Sequence, residues 1–258
     1  MLVTLFPPLP EDTARAARSV FNIENLYLAI GDQLDALFDE FSWDWPSASG
    51  GKPACHVFVL AMVTLFQFAE DLPDRQAAEA VRGRMDWKYA LHLSLNDPGF
   101  DPAELHEFRQ RLLYDSSGQQ IFQRLFIRLE KLGLLGSREK RGLDVVTALT
   151  AVDALSRLEN ARAGMRLAME TLAAQHPEWL RAISLPHWYE RYGPNVAWPS
   201  LPGSRDQREA LTQAIGADIS HLLRAVAEAD SPAIGGLREV QALQRLWQQE
   251  FASRQDGF

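Results

Sequence analysis

Residues 60–113 read LAMVTLFQFAEDLPDRQAAEAVRGRMDWKYALHLSLNDPGFDPAELHEFRQRLL, and the order of their pieces decides the fold. The stretch opens inside an apolar run, Val57 to Phe68, that only Thr64 and Gln67 interrupt. A helix that is apolar on almost every face belongs at the centre of a bundle. The run is also too short for a membrane span, which needs roughly 20 apolar residues. Pro53 opens this helix and it runs to about Ala69. Glu70 to Asp74, with Pro73, reads as a turn. A helix over about Asp74–Arg84 follows, packing Ala77, Ala78, Ala80 and Val81. Trp87 to Leu95 reads as a further short helical turn, and Asn96 to Gly99 as a loop. Asp101-Pro102-Ala103-Glu104 is the clearest helix start in the chain. Asp101 caps, Pro102 sets φ, and Glu104 reaches back as the third residue of a capping box. The stripe Leu105, Phe108, Leu112 and Leu113 continues that helix.

Towards the N-terminus, Leu26, Ile30, Leu34, Leu37, Phe38 and Phe41 recur at three- and four-residue steps, predicting a helix over Phe21–Phe41. Its other face carries Asp32, Asp35, Asp39 and Glu40. Ser42 to Gly51 is a loop, with Trp43 and Trp45 expected to pack back on the helix. Towards the C-terminus, a helix begins near Ser117 with the stripe Ile121, Phe122, Leu125, Phe126, Leu129 and Leu132, ending at Gly133. The β-branched run Val145–Thr147 reads as a strand, turning helical from Ala148 to Gln175. Pro177 to Pro202 reads as loop-rich, anchored by Trp179, Trp188, Tyr189, Tyr192 and Trp198. Helices at about Asp206–Ala229 and Leu237–Phe251 finish the chain. The expectation is a mainly α protein in three parts: residues 1–50, a helical domain at 51–141, and residues 142–258.

The chain has 258 residues with 47% hydrophobic and 23% charged, an ordinary globular composition. One cysteine, Cys55, excludes an intrachain disulfide. No leader or spanning segment is apparent, so the sequence reads as cytoplasmic with no membrane partner. The net charge of −8 argues against a nucleic-acid partner at first sight. Its distribution reverses that. Residues 1–50 hold 8 acidic and 2 basic residues, 51–141 hold 12 and 13, and 142–258 hold 14 and 11. The acid is concentrated at the start, and the middle is slightly basic. Only Lys52, Lys88, Lys131 and Lys140 are lysines. Arginine suits forked contacts to phosphates and bases, although GC-rich coding accounts for the same ratio.

No Gly-x-Ser-x-Gly, Walker or dinucleotide-binding motif is present. Cys55 and His56 stand without further ligands nearby, and His92, His106, His176 and His187 read as surface or packed histidines. The informative arrangement is a short helix followed by a capped, arginine-bearing helix, which resembles a helix-turn-helix reader of the major groove. A bundle with a solvated charged face fits the same spacing.

The 60–113 stretch resembles the helical N-terminal domain of bacterial insertion-sequence transposases of the DDE class. Five pieces stand in the family's order: the apolar helix, Pro73 to Ala80, Asp86-Trp87-Lys88, Leu95 to Gly99, and Leu105 to Leu112. Asp144 to Glu159, Trp188 to Gly193 and Val240 to Phe251 are similar to later segments of the same proteins. The resemblance implies binding to the terminal inverted repeats of an element. It also implies strand transfer by three carboxylates holding two divalent ions, usually Mg²⁺. The first carboxylate carries over to Asp144, on the first strand of an RNase H-like domain, and no other residue carries over. Here it is followed by Val145-Val146-Thr147 rather than the family's small residue and Thr. The family's second and third carboxylates lie beyond Phe258. The expectation is therefore a transposase-derived DNA-binding protein with an incomplete RNase H-like region, no metal held by this chain alone and no strand transfer by itself.

The residues expected at DNA are Arg75, Arg82, Arg84, Lys88, Arg109 and Arg111. Arg124, Arg128, Lys131, Arg138, Lys140 and Arg141 add phosphate contacts. Two other readings stand beside this one: a helical interaction module that dimerises and has no DNA role, and the first part of a split or frameshifted active transposase. If residues 142–258 lack the sheet they would pack on, the Val145–Leu149 segment is expected to be helical or mobile instead of a strand.

Overall fold

The computed structural model describes residues 7–34, 54–114, 116–133, 144–193, 201–202 and 204–252. Every regular element among them is helical. The helices are α1 (Glu11–Val20), α2 (Leu26–Asp32), α3 (Ala54–Glu70), α4 (Asp74–Gly83), α5 (Met85–Ala90), α6 (Pro102–Tyr114), α7 (Ser116–Lys131) and α8 (Val145–Gln175). They continue with α9 (Pro177–Ile183), α10 (Pro186–Tyr192), α11 (Arg205–Ala229), α12 (Pro232–Gly235) and α13 (Arg238–Trp247), which ends in a π-turn, Gln248–Ala252. The chain forms two compact units, Met1–Ala154 and Leu155–Phe258.

In the first unit α3 is the central helix, as its composition demands. Phe58, Met62, Val63, Leu65 and Phe66 are all at 1% exposure or less. Ala77, Ala78 and Val81 of α4, Leu105, Phe108 and Leu112 of α6, and Phe122, Leu125, Phe126 and Leu129 of α7 close around it. Val145, Ala148, Leu149 and Val152, the first turns of α8, complete the same core. The capping box at α6 forms as read: Asp101 Oδ1 accepts from Ala103 N at 2.9 Å, and Glu104 Oε1 accepts from Asp101 N at 3.4 Å.

Three expectations are corrected. The Val145–Thr147 run is the first turn of α8, the helical alternative rather than the strand. Its β-branched residues pack as a helix because Asp144 caps them and Val145 is buried against the core. The N-terminal helix expected from Phe21 begins only at Leu26, and a separate helix, α1, precedes it. Residues 21–25 form a break, and the Asn25 side chain caps α2 by accepting from Tyr27 N and Leu28 N. That helix was expected to continue to Phe41, and those last residues, like Trp43, Trp45 and Trp198, lie outside the described residues. The 177–192 stretch holds two proline-initiated helices, α9 and α10, rather than loop. Within it Trp188 and Tyr192 are buried, whereas Tyr189 is exposed.

α2 lies directly on α5. A Cβ at Gly31 would sit 2.6 Å from the Tyr89 ring, so only glycine permits this approach. Tyr89, Asp32 and Arg18 tie the contact: the Tyr89 hydroxyl donates to Asp32 Oδ1 at 2.5 Å, and Arg18 Nε donates to Tyr89 Oη at 2.9 Å. Burial first, and then the Asp32 carboxylate, push the Tyr89 phenol above its ordinary pKa.

The second unit is built on the remainder of α8. Leu158, Met165 and Leu172 meet Trp188 and Tyr192 of α10, Ile215, Ile219 and Leu222 of α11, and Val240 and Leu243 of α13. Among the described residues no single helix is long and apolar enough to cross a membrane.

Candidate nucleic-acid interface

α3 and α4 are joined by three residues, Asp71, Leu72 and Pro73, and bend by 110° relative to one another. Two helices at about 90–120° across a three- to four-residue turn are the geometry of a helix-turn-helix. Asp71 makes the turn at φ 56°, a left-handed conformation that aspartate tolerates better than most residues. Leu72 N donates to Gln67 O at 3.0 Å, closing the end of α3. The sequence alone points to a short arginine-bearing helix and the capped helix that starts at Asp101 as this unit. The structure gives the turn and the crossing to α3 and α4.

α4 is fixed from below by one buried ion pair. Arg109 of α6 is fully buried and grips Asp74 with a fork, Nη1 to Oδ1 at 2.5 Å and Nη2 to Oδ2 at 2.7 Å. Gln67 Nε2 donates to the same Asp74 Oδ1 at 2.8 Å, and Asp153 of α8 lies 3.6 Å from Arg109 Nη2. A two-pronged guanidinium–carboxylate pair is among the strongest polar contacts available to a core.

Arg84 is also turned inward. It bridges Glu70, Nη1 to Oε2 at 2.6 Å, and Asp86, Nη2 to Oδ2 at 2.7 Å. Its guanidinium also lies over the rings of Tyr27 and Trp87 at 5.2 and 4.9 Å. Burial opposes its charge, yet the two carboxylates outweigh that and raise its pKa. The Tyr27 hydroxyl donates to Glu70, and burial followed by that carboxylate raises the phenol's pKa.

Lys88 is buried, and its ammonium donates to the carbonyls of Ser94, Leu95 and Asp97 at 3.3, 2.9 and 2.9 Å. An ammonium has three protons, and this loop supplies an acceptor for each. Burial lowers the Lys88 pKa, opposed by the attraction of Asp97. Gly99 closes the loop at φ 70°, where a side chain would be strained.

The remaining expected contacts face outward. Arg75, Arg82, Arg111, Arg124 and Lys131 are exposed and Arg128 is half-buried. Arg82 donates through Nε to Pro98 O at 3.1 Å, and Arg111 lies 3.6 Å from Glu107, one turn back. Spacing places Arg75, Glu79 and Arg82 on one face of α4, and Arg124, Arg128 and Lys131 on one face of α7. Arg138, Lys140 and Arg141 lie outside the described residues.

Asp144 is the N-cap of α8. Its Oδ1 accepts from Thr147 N at 2.9 Å and its Oδ2 from the Thr147 hydroxyl at 2.8 Å. The backbone hydrogen bond from Thr147, then that from its side chain, lowers the Asp144 pKa. Among the described residues no group of three His, Cys, Asp or Glu side chains is arranged to hold a metal ion.

The second unit has a polar cluster that sequence reasoning missed. Asp218 of α11 is buried and accepts from His187 Nε2 at 2.9 Å, from the Tyr192 hydroxyl at 2.8 Å and from Arg191. Burial works against its charge, but these hydrogen bonds, with the attraction of the Trp188 indole N–H, hold its pKa below the carboxylate range. The Trp188 N–H falls short of hydrogen-bond geometry to any acceptor. His187, Arg191 and Tyr192 thus pin α10 on α11.

Residues 10–111 match the family described as Transposase domain (DUF772), a span that runs from the start of α1 to near the end of α6. The chain is transposase-like over those residues. No curated protein matches the chain, and no solved structure does.

Proposed function

We propose, from the premise that residues 10–111 form a transposase domain, that this protein binds the terminal DNA of a mobile element through the α3–α4 helix-turn-helix. The observation that carries this reading is the 110° crossing, with Arg75 and Arg82 exposed on the second helix. In such a motif the second helix enters the major groove. The cations of α7 supply phosphate contacts. With few outward cations and a chain at net −8, binding is modest and salt-sensitive.

We further propose that the chain by itself binds without transferring strands. Support comes from Asp144, whose two oxygens are engaged by Thr147 at the head of a helix.

A gel shift with duplexes carrying the element's terminal repeats tests the first part. Retention at micromolar protein that weakens with added salt, and that Arg75→Glu with Arg82→Glu abolishes, is expected. Absence of salt-sensitive retention would sink the reading. For the second part, Mg²⁺-dependent nicking of a repeat-bearing plasmid that Asp144→Asn removes would overturn it.

A further inference from the structure

Resting on the DNA reading above, we infer that Glu79 is a specificity-determining residue that reads a cytosine in the major groove, with Arg82 reading guanine beside it. The two outward faces of the first unit differ in chemistry. The α7 face repeats cations, Arg124, Arg128 and Lys131, which is what a phosphate backbone attracts. The α4 face alternates: Arg75, Glu79 and Arg82 follow at one-turn intervals, all exposed. A carboxylate set among phosphates is repelled by them. Against base edges the same carboxylate is an acceptor for the cytosine amino group, and an arginine fork matches guanine O6 and N7. The α4 face is therefore suited to bases rather than to backbone.

Three further observations fit. Among the described residues the Glu79 carboxylate takes part in no hydrogen bond or ion pair, although arginines stand one turn away on either side. It is left available to a ligand. Arg82 donates through its Nε to Pro98 O, in the loop that Lys88 and Gly99 fix, which orients its exposed guanidinium. Holding a side chain in its binding geometry lowers the ordering cost of association. Gly83 follows directly, exposed, and a Cβ there would meet nothing within 4 Å. The fold does not need a glycine at this position, and its bare backbone leaves room for a close partner.

The test is selection of the full chain on randomised duplexes, with Glu79→Gln and the double variant Arg124→Gln/Lys131→Gln in parallel. The wild-type chain should enrich a cytosine and a neighbouring guanine. Glutamine pairs with adenine rather than cytosine, so Glu79→Gln should move the preference at one position from cytosine to adenine by about tenfold or more. The α7 variant should weaken all duplexes alike and leave the preference unchanged. An unchanged preference in Glu79→Gln overturns the inference, as does an altered preference in the α7 variant. Wild-type binding with no base preference overturns it while the DNA reading stands, and no binding to any duplex overturns both.

Discussion

Arg109 and Arg111 are two residues apart on α6, and the fold uses them in opposite ways. Arg109 is sealed on Asp74, and Arg111 stands in solvent beside Glu107. The same division runs through the whole matched stretch. Arg84, Lys88 and Arg109 hold it together, whereas Arg75, Arg82, Arg124 and Lys131 remain outside. A cation in this domain is structural when the helix period places it on an apolar stripe with an acceptor opposite. It faces solvent when the period places it on the other face.

The largest effect expected from breaking that division is at Arg109. Arg109→Ala strands a buried carboxylate at Asp74, and chemical denaturation should show a loss of about 3–5 kcal/mol. A loss within ordinary surface-substitution range would mean that the pair does not anchor α4. Lys88→Met comes next. It leaves three loop carbonyls without their donor, at a cost of about 2 kcal/mol or more. Amide exchange in residues 94–99 should accelerate while exchange in α3 holds, and uniform acceleration would argue against a local clamp.

The Asp218 cluster extends the contrast to the second unit by pH. A carboxylate whose folded pKa is depressed contributes stability that is fully present above its unfolded value of about 3.9. That contribution is lost as pH falls through the folded value, which lies below it. Thermal melts should therefore show a wild-type advantage over Asp218→Asn at neutral pH that shrinks in strong acid. An advantage constant down to pH 2 would contradict the ion-pair origin. Smallest of all, Arg75→Gln with Arg82→Gln should change stability by no more than about 0.5 kcal/mol. A larger loss would place these two among the structural cations.

Much of the fold was legible because periodicity reports burial directly. The stripes of α3, α6 and α7 and the capping box at Asp101 appear as read. α1 was not among the expected helices, although Pro10 immediately precedes it and the acidic Glu11 and Asp12 occupy its first turn. The strand at Val145 failed because β-branched residues report a half-buried surface, and a helix head packed on a core offers one too.

The candidate site was less legible, since a cation's partner is set by tertiary contact. Asp74 lies 35 residues from Arg109, and Asp218 lies 26 to 31 residues from its donors. A signal was nevertheless present. Asp74 shares the apolar face of Ala77, Ala78 and Val81, and Arg109 shares that of Leu105, Phe108 and Leu112. A charge on an apolar stripe expects an opposite charge across the interface. Arg84 and Lys88 flank Trp87, a residue at 0% exposure, and were open to the same inference.

In the proposed complex, outward cations of α4 and α7 meet DNA while inward ones hold the fold. The most direct test is the salt dependence of binding to a repeat-bearing duplex, measured for the wild-type chain and for Arg75→Gln/Arg82→Gln/Arg124→Gln/Lys131→Gln. The slope of log K against log salt falls by about 0.9 for each phosphate contact removed, here those of Arg124 and Lys131. A much flatter slope is expected in the variant, with unchanged stability. An unchanged slope, or binding that ignores salt in both proteins, would contradict it.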